Sequence, residues 1–384
     1  MRRRAFIQSM CAGGLATFTL PAVTFARVPG RGRLVFVLLR GAMDGLASVV
    51  PYGDPGYPSV RQGMAFAPDQ LVPLTDEFGL APGLASLKQL WDASELVVLH
   101  GVAIPFRTRS HFDGQAILET GLDRPAGSAE GWLNRLLQIM DGERSGIAVA
   151  AGLPRSLSGS YQVMTWSPAK LGIVEDAYID RLHVLYQRDA RLHDPFEASL
   201  QMADVAMDGM GARRTAVEPV MRAAAQFLGE PDGPNVAAVE FSGWDTHANQ
   251  GLAGGQLDRR LAGLAEGLLA FKDEIGPAAW ASTTIVVMTE FGRTARPNGT
   301  GGTDHGTAGA AFVIGPSVGT SRVVADWPGL GERDLFESRD LRPTLDTRAV
   351  LKGVAAGAFD LTAAQADRIF PGSSNVRGLM DLLR

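Results

Sequence analysis

Histidine and carboxylate recur together at a few places in this 384-residue chain, each beside a short apolar run. Arg109, Ser110 and His111 come after the run Leu96–Leu99, which His100 closes. Asp245 and His247 come after Val236–Val239, Glu290 after Thr284–Met288, and Asp304 and His305 before Ala310–Ile314. Asp44 follows the first run of all, Arg33–Leu39. Carboxylate oxygen and imidazole nitrogen together suit a divalent metal, with zinc, manganese, magnesium, calcium and iron all left open. An Asp-x-His pair by itself arises equally from a hydrogen bond in a core. Three such groups at separate run ends are another matter, because independent core histidines have no reason to converge on one face. Each histidine ligand needs its second nitrogen held, and Asn249 or Asp304 is placed to do this.

Ser110 directly precedes a helical pattern, Phe112–Thr120. It reads as a plain N-cap, or as a nucleophile activated by a neighbouring metal where helix amides favour an anion. Arg109 and His111 flank it as further catalytic candidates. Arg107, Arg109 and Arg293 are candidates to grip ester oxygens with their planar forks.

The elements that must position these residues are legible from periodicity. Arg33–Leu39 is a nearly continuous apolar run rich in branched side chains, as expected of a strand buried on both faces. The runs at Leu96–Leu99, Val236–Val239, Thr284–Met288 and Ala310–Ile314 read alike. Leu257, Leu261, Leu264 and Leu268 form one helical stripe, and Met221–Phe227 and Arg348–Ala356 are similar. Such alternation predicts an α/β fold, a three-layer α/β/α sandwich with a mostly parallel central sheet. Ligands of such sheets bind beyond the carboxyl ends of the strands. A more charged stretch at about 175–230 breaks the rhythm. It reads as a helical excursion, either a lid or ordinary packing on the sheet, and it carries His183 and His193.

The N-terminus reads as a leader. Arg3 and Arg4 precede Ala5, Phe6 and Ile7, then a short apolar stretch to Phe25 and a small residue, Ala26. This predicts a twin-arginine signal over residues 1–26, a main domain over 27–384, and export of the folded chain to the periplasm or beyond. The translocase is then a partner during export, and no stable membrane anchor is expected. The sole cysteine, Cys11, falls inside that leader, so neither a disulfide nor a thiolate metal site is expected in the mature chain. Cleavage removes three arginines and no acid, leaving 33 basic residues against 41 acidic ones, net −8. That balance argues against a nucleic-acid partner.

The order of motifs resembles the exported bacterial family known as domain of unknown function 1501, similar to the alkaline-phosphatase-like superfamily, over about Leu34 to Ala356. Asp44-Gly45 after the first strand resembles the superfamily's opening metal-binding pair, and Ser110 its nucleophile at a helix start. Asp245, His247 and His305 resemble its first metal site, with Gly315-Pro316 closing the strand after His305. Asp340-Leu-Arg-Pro-Thr344 is similar to the segment that opens its closing helix. One position departs: where phosphatases carry Asp-His, this chain has Glu290 and Phe291. The resemblance implies a second metal position resting on Asp44, Ser110 and Glu290, helped by Asp304 or His111. It also implies a metal-dependent hydrolase of phosphate or sulfate esters, taking a small-molecule or envelope-polymer anionic ester. The alternative is a catalytically degenerate binding protein of the envelope on the same fold.

Overall fold

The computed structural model describes residues 32–107, 109–126, 130–140, 145–167, 186 and 217–383. The leader with Arg3, Arg4 and Cys11, and the excursion as far as residue 216 with His183 and His193, lie outside the described residues apart from Tyr186.

Among the described residues, nine strands build the main sheet: β1 (Arg33–Arg40), β2 (Leu96–Ala103), β3 (Gly146–Val149), β4 (Met164–Trp166), β5 (Val236–Ser242), β6 (Thr283–Thr289), β7 (Gly309–Ile314), β8 (Arg322–Val324) and β9 (Leu345–Asp346). Their order is β8-β2-β7-β6-β1-β5-β3-β4, with β9 also paired to β2. Every pairing is parallel except those of β7, which runs against both β2 and β6. That reversal matters for the site. A strand running backwards begins at the edge where its neighbours end, so the residues just before β7 join those just after β1, β2, β5 and β6.

The apolar runs split between two cores because successive side chains of a strand face opposite ways. Val35, Val37 and Leu39 enter one core, and Leu34, Phe36 and Leu38 the other. Six helices of the described residues matter here: α1 (His111–Thr120), α2 (Trp132–Ile139), α3 (Val217–Gly229), α4 (Gln256–Ile275), α5 (Thr347–Phe359) and α6 (Ala363–Ile369). Helices α3 and α4 cover the first face, and Leu257, Leu261, Leu264 and Leu268 of the predicted stripe are all buried there. Helices α1, α2, α5 and α6 cover the second. The expected three-layer sandwich with a mostly parallel sheet is the observed one. The described end of the excursion, α3, packs on the sheet beside α4, so this part is ordinary packing. The proline-rich segment around residues 51–58 runs into a short helix, Tyr57–Arg61. No helix among the described residues is long and apolar enough to cross a membrane.

Candidate metal centre

Beyond the ends of β2 and β5 and before β7, three side chains meet. His111, Asp245 and His305 each offer a ligand atom within 4.8 Å of the others. His111 Nε2 lies 3.4 Å from Asp245 Oδ2, and His305 Nε2 lies 3.3 Å from Oδ1. His247 adjoins them, its Nε2 3.0 Å from Asp245 Oδ1 and 2.9 Å from His305 Nε2.

Each imidazole is held from behind. His111 Nδ1 meets Glu290 Oε1 at 2.7 Å, His247 Nδ1 meets Asp304 Oδ1 at 3.1 Å, and His305 Nδ1 meets the Arg109 carbonyl at 2.7 Å. A carbonyl or ionised carboxylate only accepts, so each Nδ1 must carry the hydrogen. The neutral ring then presents a bare lone pair at Nε2, turned inward. Two such lone pairs 2.9 Å apart repel unless a proton or cation lies between them. His111 Nε2 is also buried without a hydrogen-bond partner, which is costly unless a ligand satisfies it. The donor set therefore fits a divalent cation, and two imidazoles with one carboxylate, a third imidazole adjoining, suit zinc, iron or manganese better than calcium or magnesium, which take oxygen ligands.

The local charges differ between the two rings. Burial lowers the His305 pKa and favours its neutral form, whereas hydrogen bonding to Glu290 raises that of His111, making its Nε2 a stronger base that a cation must compete for with a proton. Burial would raise Asp245, but the Arg293 guanidinium at its Oδ1 outweighs this and holds the carboxyl down. Arg293 is itself buried and also donates to Thr303 Oγ1 at 3.2 Å.

Close backbone approach makes the cluster compact. A side chain at Gly114 would meet the Phe291 ring at 2.9 Å, so only glycine lets α1 press against it. Phe291, the departure from the phosphatase pattern, stacks on His111 with ring centroids 5.0 Å apart and lies 5.3 Å from His305. The aromatic ring thus walls the imidazoles rather than leaving a gap. Gly41 adopts φ +119°, and a Cβ there would lie 2.6 Å from the Asp245 amide.

Several sequence expectations are corrected by partners that no motif announces. Asp44 is not among the converging groups: its carboxylate takes a two-pronged bond from buried Arg61, at 2.7 and 2.6 Å, and another from Gln250 at 2.8 Å. Glu290 holds His111 instead of facing a metal, because its oxygens also accept from Gly41, Gln115 and Thr289. Among the described residues, Asp44 and Glu290 therefore do not converge: the first faces Arg61 and the second His111. Asp304 orients His247, and Asn249 does not; Asn298 donates to both Asp304 and the His247 carbonyl. His100 lies inside β2, fully buried, and does not reach the site.

The arginine clamp is not formed either. Arg109 spends its guanidinium on Glu337 and Asp340, Arg293 on Asp245, and Arg107 donates to the Ile104 carbonyl. Ser110 is the N-cap of α1, but its bond from the Asp113 amide is long, 3.5 Å. His111, expected as a catalytic neighbour of Ser110, stands in the metal cluster.

No curated protein matches this chain in sequence. Among solved structures, it is similar to Ps i-CgsB in complex with k-i-k-neocarrahexaose, at 10% identity over 91% of this chain and 77% of that one, with TM-score 0.41. It is also similar to the PsFucS1 sulfatase from Pseudoalteromonas sp., at 14% identity over 76% and 64%, with TM-score 0.35. A third is the phosphonate monoester hydrolase of Agrobacterium radiobacter, at 12% identity over 76% and 70%, with TM-score 0.34. Likenesses this distant leave the activity of the present chain to its own residues. Sequence decides the family: over residues 100–370 the chain matches, and it belongs to, the family described as protein of unknown function (DUF1501).

Proposed function

We propose that this protein is a metal-dependent hydrolase of phosphate or sulfate esters. The observation that supports it is the convergence of three imidazole Nε2 atoms on Asp245, each ring pinned at its other nitrogen. His111, Asp245 and His305 would hold the ion, with His247 beside them. When bound, the ion supplies Lewis-acid stabilisation of charge on the ester oxygens. Ser110 Oγ, next in the chain to His111 and at the N-terminus of α1 where helix amides favour an anionic group, would attack the phosphorus or sulfur and give up its proton. The bond to the ester's alcohol would break as that oxygen leaves and is protonated, and water would then hydrolyse the seryl ester to release phosphate or sulfate. With the arginines engaged elsewhere, those amides and the ion must meet the substrate's charge between them. Asp245 is 38% exposed and His247 45%, so the centre is open enough for an ester on a bulky carrier.

The test is metal analysis of the purified mature protein, followed by assays on an aryl phosphate, a phosphodiester and a sulfate ester. Bound zinc, iron or manganese and a fall of at least ~100-fold in turnover in Ser110→Ala are the expected results. Metal retained with equal rates in both forms would leave only a binding protein, and a chain that takes no metal would end the reading. We further propose export by the twin-arginine route. Replacing Arg3 and Arg4 by lysine should keep the chain in the cytoplasmic fraction, and unchanged secretion would refute that route.

A further inference from the structure

Asp340 and Glu337 belong to a turn that touches no proposed ligand, yet both carboxylates face Arg109. Asp340 Oδ2 accepts from Arg109 Nε at 3.1 Å and from Nη2 at 2.8 Å, and Glu337 Oε2 accepts from Nη2 at 2.6 Å. The Asp340 side chain is fully buried, whereas Glu337 is 56% exposed. Arg109 in turn lends its carbonyl to His305 Nδ1 and stands two residues before His111.

The turn is closed on itself by Phe336 and Asp340, whose amides and carbonyls pair at 2.9 and 3.0 Å. Inside it Glu337 and Ser338 adopt φ +53° and +50°. This left-handed region is unfavourable for residues with a Cβ and persists only where the surroundings impose it. Two consecutive non-glycine residues there point to a shape held for what it presents. The turn also grips the opposite flank of the site. The Ala295 amide donates to the Arg339 carbonyl at 3.0 Å, and Thr294 bridges Asp340. Arg293, adjacent to that bridge, bonds Asp245 through its side chain and pairs with His305 through its backbone. The segment that follows completes the tie. The Leu341 carbonyl accepts from Thr307 Oγ1 at 3.0 Å, and the Thr344 amide donates to the Gly101 carbonyl at 3.0 Å.

We infer that the Phe336–Asp340 turn is a positioning device for the metal centre, in which Asp340 and Glu337 act through Arg109 to set His305 and the Ser110–His111 step. The inference rests on the metal reading above. Removing the Asp340 charge loosens the Arg109 carbonyl, and with it the direction of His305 Nε2. Loss of an outer partner of a metal ligand commonly costs 10–100-fold in metal affinity.

The experiment uses the full mature chain and two readouts. One is zinc titration by calorimetry. The other, which needs no metal, is the ¹⁵N spectrum of labelled histidines, in which His305 should carry its hydrogen on Nδ1. Asp340→Asn should weaken zinc binding about 10-fold and disturb the His305 resonance, while the melting temperature stays near that of the parent. Arg109→Gln should do the same, and the double variant should be no worse than either single one. Glu337→Gln, at an exposed position, should fold normally and show the same changes to a smaller degree; it decides the matter if Asp340→Asn does not fold. Unchanged zinc affinity and an unchanged His305 resonance in these variants would overturn the inference. If the parent chain binds none of zinc, iron or manganese, the hydrolase reading falls, and the His305 resonance alone decides for or against the positioning turn.

Discussion

At the scale of single residues, the decisive question is what stands behind each group. Glu290 and Asp44 are buried carboxylates at the same sheet edge, and their partners give them different work. Burial alone would raise both pKa values; hydrogen bonds from His111 and Gln115 outweigh it at Glu290, and Arg61 does so at Asp44. Glu290→Gln keeps the shape but removes the charge that orders the His111 ring. Zinc affinity should fall 10–100-fold in a calorimetric titration, and an unchanged affinity would show that His111 needs no such partner. Asp44→Asn leaves the Arg61 guanidinium buried without its counter-charge. Breaking one side of such a pair costs about 3–5 kcal/mol, to be read as a drop in urea-unfolding free energy. The motifs marked Asp245, His247 and His305 in advance. They could not mark Arg61, Gln115, Gln250 or Asn298, because a lone arginine or amide has no spacing that distinguishes a core partner from a surface residue.

At the scale of elements, α1 and β7 do most to assemble the centre. Ser110 caps α1 and His111 opens it, so a change in how that helix seats moves the ligand directly. Gly114 faces Phe291 one turn on. A valine there must displace the ring that stacks on His111, so Gly114→Val should weaken zinc binding more than it lowers the melting temperature. The reverse outcome would make this contact one of packing alone. The helices themselves were legible, since the stripe Leu257–Leu268 keeps its period over several turns. The direction of β7 was not. An apolar run reads the same whether its strand lies parallel or antiparallel, and only pairing with β2 and β6 settles it.

At the scale of the whole molecule, two cores hold the sheet rigid, and one fully buried histidine links its stability to pH. His100 donates from Nε2 to the Val49 carbonyl and accepts the Gly101 amide at Nδ1, both at 3.0 Å. Burial lowers its pKa from 6.5 to about 4. The unfolded chain therefore binds this proton first as pH falls. Stability is unaffected above about pH 6.5, declines between 6.5 and about 4, and the full loss is about 3 kcal/mol. The depressed carboxyl of Asp44 acts in a lower window. Its contribution is present above the ordinary aspartate value and is lost as pH falls through its own lower one. Urea unfolding at pH 7 and pH 5 should separate the two, with His100 contributing a loss of about 2 kcal/mol between these values that is missing from His100→Gln. An equal loss in the variant would place the pH dependence elsewhere.

The sequence by itself determined the layers, the strands and the edge at which chemistry gathers, because burial on two faces, helical period and turn composition are written locally. It also marked most of the nitrogen and oxygen donors, whose types are read directly. Only the tertiary structure decided their roles. His111 became a ligand candidate, Glu290 its holder and Asp44 the partner of Arg61, through contacts between residues 17 to about 250 positions apart. Charge and hydrogen bonding act over a few ångströms of space, and no local pattern along a chain encodes which distant side chain will arrive there.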